Sequence, residues 1–261
     1  MKHISPSQLN MFFRCGEQYR RRYIEKEIIQ PGFALHRGKG VHGGAEVNNT
    51  QKITTHEDLP ASQIKEAAAA AYNESVSQGC SLTKEEQSRG LDIIRGEYLD
   101  QTVSLAELWA TKAARLSQPT HVEHKVEIEI NDSYELLGFI DMIDEAGYVV
   151  DIKTGKRRSQ SDLDRELQFT FYSLAYRAII GSEAKGVAID QLITNKTLLH
   201  ERAMTVRSKE DYQILVNRIN LFIRHYELGN FVPASPMSWW CDEQWCGYAN
   251  TCQYYSSKRS V

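Results

Sequence analysis

From about residue 119 onward the hydrophobic positions change their period. Val122 and the run Lys125-Val126-Glu127-Ile128-Glu129-Ile130 alternate as a half-exposed strand does, and Asn131-Asp132-Ser133 reads as a turn. Further strands are predicted over Tyr134 to Asp144 and Tyr148 to Lys153, joined at a Gly turn, and over residues 186–195 and 198–206. Between them Leu163, Leu167, Phe171, Leu174, Ala175 and Ala178 predict an amphipathic helix over residues 161–180. Upstream the period is helical. Ser5 as N-cap, Pro6 in the first turn and Gln8 closing a capping box start a helix over residues 5–26, with Leu9, Phe12, Phe13, Tyr19 and Tyr23 on one face. The Gly-rich residues 31–44 read as a turn leading into a short helix that carries His42 and ends near Val47. Helices are also predicted over residues 61–79, over 83–116 with a break near Tyr98 to Ser104, and over 208–229.

This order describes an α/β fold, a mixed central sheet flanked by helices. Without repeats or long linkers, one domain is expected: a helical N-terminal region (1–118), a sheet and helix (119–206), and a C-terminal helix with a Cys-rich tail (207–261). A net charge of −3 means that any nucleic-acid contact must come from local basic stretches, such as Arg20 to Arg22 and Lys156 to Arg158. There is no apolar run of the roughly 20 residues a membrane span needs and no signal-peptide core at the N-terminus, so a cytoplasmic protein without membrane association is expected.

The candidate chemistry lies in two places. Asp141 and Asp151 sit inside apolar strand runs, and Lys153 shares the face of Asp151 with Ile152 turned the other way. Buried carboxylates there need a cation, and a metal ion fits. In the tail, Cys241, Cys246 and Cys252 fall within twelve residues, pointing to zinc or an iron–sulfur centre. Cys15, Cys80 and His225 are open as the fourth ligand. The Gly38–Lys39 region is excluded as a phosphate loop, because its spacing is one residue too long and no Ser or Thr follows the lysine.

Taken together, Gly40-Val41-His42, Gly138-x-x-Asp141, Asp151-x-Lys153-Thr154-Gly155 and Gln168-x-x-x-Tyr172 resemble, in their order, the RecB-like branch of the PD-(D/E)XK nuclease superfamily. With the cysteines, the chain is similar to the iron–sulfur subgroup that includes the nuclease half of AddB, CRISPR-adaptation nucleases and phage exonucleases. The resemblance implies a DNA exonuclease acting in repair, recombination or phage and CRISPR DNA processing. His42, Asp141, Asp151 and the Ile152 carbonyl would hold Mg²⁺ or Mn²⁺, Lys153 would orient or deprotonate the attacking water, and Gln168 and Tyr172 would contact substrate or the lysine. It assigns Cys15, Cys241, Cys246 and Cys252 to a structural 4Fe-4S cluster, with Zn²⁺ as the alternative occupant. Gly16 stands where the subgroup commonly has Pro, and the Cys241–Cys246 gap is wider than usual. The substrate implied is DNA, single-stranded or with a free end. No helicase P-loop is found, so a stand-alone nuclease with a helicase or recombination protein as candidate partner is expected. The competing reading is a non-cleaving DNA-binding or scaffold protein with a zinc-bound tail, which predicts a gap in the catalytic set; here every position is filled.

Overall fold

The computed structural model describes residues 1–255, so the last six residues of the expected tail region lie outside the described residues. A short strand β1 (Lys2–Ile4) precedes α1 (Pro6–Arg14), which opens with the expected Ser5/Gln8 capping box. The expected single helix over 5–26 is instead interrupted. Cys15 is extended (φ −163°), and the chain restarts as α2 (Gly16–Tyr19) and a π-helical turn over Arg20–Ile24. Then come α3 (Phe33–Thr55), α4 (Ala61–Ser77), α5 (Lys84–Arg89) and α6 (Leu91–Lys112). The strands β2 (Pro119–Asn131), β3 (Tyr134–Asp144) and β4 (Tyr148–Gly155) follow, then α7 (Gln160–Arg165) and α8 (Leu167–Ile180), β5 (Gly186–Thr194), β6 (Leu198–Thr205) and α9 (Lys209–Glu227).

The largest difference from expectation is α3. Its glycines read as a turn, yet they lie inside a 23-residue helix. Close packing is the reason: a Cβ on Gly40 would stand 2.9 Å from the Ala68 carbonyl oxygen and 2.5 Å from Thr102 Cγ2, and one on Gly44 2.8 Å from the Ile64 carbonyl oxygen. The small face lets α3 lie directly on α4 and α6, which outweighs the roughly 1 kcal/mol of helix propensity that each glycine forfeits. The break expected near Tyr98 to Ser104 is absent. The interruption falls at Gly90, whose φ of +92° suits glycine. The helix expected over 161–180 is likewise divided, at extended Glu166.

The six strands form one mixed sheet in which β1, β3, β4, β5 and β6 follow one another and β2 pairs with β3. Pairing is antiparallel for β2–β3, β3–β4 and β5–β6, and parallel for β1–β3 and β4–β5. Helices α1, α8 and α9 cover one face around Phe12, Phe171 and Phe222; α3, α4 and α6 cover the other around Val41, Leu105 and Trp109. One irregularity places the candidate chemistry. β3 and β4 pair only at Met142–Val150 and Ile143–Val149, whereas β4 stays paired with β5 over its whole length. The sheet therefore parts just beyond Met142.

Gly40→Val should lower unfolding stability by about 3 kcal/mol, because its branches meet backbone on α4 that cannot move aside. A urea midpoint within error of wild type would contradict this packing account.

Candidate active site

In the parting between β3 and β4, Ile152 turns both its N–H and its carbonyl toward the gap. Side chains answer them where a strand would otherwise pair. Ile152 N–H donates to Asp141 Oδ2 (3.2 Å), and His42 Nε2 donates to the Ile152 carbonyl (2.9 Å). The His42 ring comes from the middle of α3, and its Nδ1 lies 3.2 Å from the same Asp141 oxygen. A neutral imidazole carries one N–H; donating it from Nε2 leaves a lone pair on Nδ1 facing a carboxylate. A proton or a metal ion between them would satisfy that contact.

A third group completes the cluster. Glu123 on β2 brings a carboxylate oxygen, so that one ligand atom each from His42, Glu123 and Asp141 lie within 4.8 Å of one another. Its backbone is left-handed (φ 44°), a conformation that costs a non-glycine residue of order 1–2 kcal/mol. Burial, then repulsion from Asp141, push its carboxyl up to about 7. Reading motifs alone missed Glu123. Counting back from the Asn131–Tyr134 pair would set it opposite Met142; the register shift between Glu129 and Asn131 moves it beside Asp141, between the pairs Val122–Met142 and His124–Ile140.

Asp151 is not part of that 4.8 Å set. It is fully buried, points toward α8, and pairs with Lys153 Nζ at 2.9 Å. Its second oxygen, Oδ2, has no hydrogen-bond partner. Burial pushes Asp151 up to about 6, with Lys153 opposing that shift. For Lys153, burial alone would lower the ammonium, but Asp151 and Asp141 more than offset it, so the lysine is held protonated. Lys153 also donates to Gln168 Oε1 (3.1 Å), and Gln168 Nε2 donates to the Tyr172 hydroxyl (2.6 Å). Burial and the two aspartates raise Tyr172 well above its ordinary range, so it stays a neutral phenol. Gly138 makes this approach of α8 feasible: a Cβ there would lie 2.3 Å from the Phe171 ring.

The sequence-predicted residues thus fall into two adjoining groups. His42 and Asp141, joined by Glu123, face the open groove; Lys153 reaches the same groove and heads a hydrogen-bonded row with Asp151, Gln168 and Tyr172.

At the other end of the molecule, Cys15, Cys241, Cys246 and Cys252 line one cavity. Cys80 lies apart, in the core cluster around Phe33 and Tyr72. Burial, followed by the neighbouring thiols, raises Cys241. Ala234 N–H points at Cys15 Sγ (3.3 Å). Gly16, which departs from the proline of the resembled subgroup, is explained here: its N–H donates to the Val232 carbonyl (2.8 Å), and a Cβ would stand 2.7 Å from the backbone of Phe231 and Val232. Arg21 is buried and docks the tail, donating to the Tyr248 carbonyl (3.2 Å) and Thr251 Oγ1 (2.6 Å) while paired with Glu27. Arg20 is paired with Glu17 and Glu25. Two members of the expected phosphate-contacting stretch are therefore committed to structure, and so are Arg157 and Arg158, paired with Glu201 and Glu166.

Residues 3–253 match the family model of the PD-(D/E)XK nuclease superfamily, and the chain belongs to that family. Among solved structures it is similar to a candidate exonuclease from Eubacterium rectale, with a TM-score of 0.61 and 11% identity over 99% of this chain and 89% of that one. SSO0001 aligns over 98% of this chain and 87% of its own at 14% identity, with a TM-score of 0.44 that is too low to bear on the fold. No curated protein sequence matches the chain. No helix among the described residues is long and apolar enough to cross a membrane.

Because the folded values of Glu123 and Asp151, about 7 and about 6, lie above their ordinary ones, the stability they contribute without metal is full at low pH and is lost as pH rises through 6 to 7. A cation favours the ionised acids, so Mn²⁺ should raise the melting temperature more at pH 8 than at pH 5.5, and Glu123→Gln should shrink that difference. Equal Mn²⁺ stabilisation at both pH values would exclude the cluster as a cation site.

Proposed function

We propose that this chain is a divalent-metal-dependent DNA exonuclease. The observation that carries the reading is the convergence of His42, Glu123 and Asp141 beside the buried Asp151–Lys153 pair, at a parting in the sheet that opens onto a groove. The donor set fits a hard cation: oxygen-rich, with one imidazole whose other nitrogen is fixed by a carbonyl. His42 Nδ1, Glu123 and Asp141 would hold Mg²⁺ or Mn²⁺, and Asp151, with its unpartnered Oδ2, would complete the set. When bound, the ion supplies electrostatic stabilisation of the charge that builds on the phosphate. In this arrangement the Ile152 carbonyl acts by orienting His42, in place of the ligand role the motif resemblance implies.

Lys153 acts as an ammonium. Held protonated by its acids, it positions the attacking water and screens the phosphate. Gln168 fixes the lysine's direction, and neutral Tyr172 fixes Gln168. Attack of water on phosphorus forms one P–O bond as the bond to the leaving oxygen breaks, and that oxygen leaves with a proton. Action from a free end is what the resemblance to the exonuclease subgroup implies; the order of the motifs does not itself choose between exo and endo cleavage. That order gives no choice among repair, recombination and phage or CRISPR DNA processing.

The four cysteines we assign to a structural 4Fe-4S cluster. Tetrahedral zinc with Zn–S near 2.3 Å would draw the sulfurs to about 3.8 Å of one another. The four cysteines share one cavity, and the choice of the cluster over zinc rests on the resemblance to the iron–sulfur subgroup.

Asp151→Asn and Lys153→Ala should each lower Mn²⁺-dependent degradation of end-labelled linear DNA by at least about 10²-fold while preserving the fold. Retention of full activity by either variant would sink the assignment, and wild-type cleavage of circular DNA at the same rate would sink the exonuclease reading. Anaerobically purified protein should absorb at about 400 nm. Cys252→Ser should remove that band and lower the melting temperature by roughly 10 °C, whereas an unchanged melting temperature would deny the cluster a structural role.

A further inference from the structure

The groove that opens at the candidate metal ligands does not end there. Its lower part is lined by His42, Asp141 and Lys153, its upper part by Arg22, Ile28 and Trp245, and the two parts share Leu35, Lys39, Ser75 and Gln78. We take the two adjoining grooves, one at the acids and the other at the cysteine tail, as a single trough across α3. Three of its wall residues are apolar and open to solvent: Ile28 is 68%, Leu35 52% and Trp245 57% exposed. Trp245 packs edge-on against Trp239, whose ring centroid lies 5.4 Å away. Besides Lys153 and the carboxylates Glu46 and Glu74, the trough is lined by two further cations, Arg22 and Lys39. Unlike Arg20 and Arg21, neither is paired with a carboxylate among the described residues.

We propose that this trough is a binding subsite for single-stranded DNA leaving the cleavage centre, with phosphates on Lys39 and Arg22 and an unpaired base stacked on Trp245. The inference rests on the nuclease reading above and adds to it the residues that would hold the single strand. Charge and shape select the occupant. Free cations spaced along the floor suit a phosphate backbone, and exposed aromatic and aliphatic side chains on the wall suit base faces. A duplex keeps its base faces stacked inside and would leave Trp245, Leu35 and Ile28 uncovered. Continuity with the acid cluster further favours nucleic acid over a protein docked on the same face.

Fluorescence anisotropy of a labelled single-stranded oligonucleotide, in EDTA so that nothing is cleaved, tests this on the full chain. Trp245→Ala should weaken single-strand binding by ~10-fold or more, as expected for one lost base–aromatic stack, and Trp245→Phe should restore most of it. Lys39→Ala, on α3 and away from the tail, should weaken binding and lower the slope of log K against log salt by about 0.7. A blunt duplex of equal length should change by less than twofold in both variants. Undiminished single-strand affinity in Trp245→Ala and Lys39→Ala would overturn the proposal and leave the face to a protein partner; equal losses on duplex would overturn it too. The nuclease reading is judged separately, by wild-type cleavage with Mn²⁺. A protein that cleaves without these binding effects refutes the subsite alone, and one that shows them without cleaving refutes the enzyme alone.

Discussion

The chemistry depends on the hydrogen bonds that β3 and β4 do not make. Ile152 lies where a continued ladder would consume its N–H and carbonyl, and an unpaired backbone there would cost a desolvation penalty on the order of 1–3 kcal/mol per group. Asp141 and His42 take those bonds instead. The cost of opening the sheet is thereby offset by the two side chains the site requires, and their positions are set by backbone on the fully paired strand β4. A carboxylate and an imidazole fixed this way have little rotamer freedom left to lose when an ion binds.

Around that parting the fold holds two populations of charge. Asp151 is shut off from solvent while Lys153 is partly exposed, and their pairing opposes the rise that burial imposes on Asp151 and holds the lysine protonated. Glu123 is different: strained in its backbone, raised in its proton affinity and adjacent to another acid, it is the least comfortable residue of the site. Strain and repulsion of this kind persist only where surrounding structure imposes them. Here the long β2–β3 hairpin does so, with regular pairs on both sides of Glu123.

How much of this was legible in the sequence varies with the kind of signal. Alternation exposed the strands and the shared face of Asp151 and Lys153, because period-two patterning survives whatever packs above it. Gln168 and Tyr172 share a helix face by their spacing, but a surface Gln and a core Tyr would look the same, and only the resemblance singled them out. The α3 helix was not, since glycine's local preference for turns masks its value at a helix crossing; the deciding contacts, with Ala68 and Thr102, lie far along the chain. Glu123 looked like one more polar residue of a half-exposed strand, and only its φ and its partner across the hairpin distinguish it. Arg20 and Arg21 looked like surface charge, although Glu17, three residues before Arg20, hinted otherwise. The four cysteines became a set only through the resemblance, as no local pattern joins residue 15 to residue 241.

The way the tail is fastened bears on how the protein matures. Gly16 bonded to Val232, Arg21 reaching Tyr248 and Thr251, and the Tyr248 hydroxyl on the Glu27 carbonyl already close the chain ends on each other without help from sulfur. These contacts would bring the cysteine cradle together ahead of any occupant, unlike small metal-dependent modules in which the ion nucleates the fold. Under the cluster assignment proposed above, delivery of the inorganic centre would be a late, separable event, and newly made chains would persist as a folded pool awaiting it.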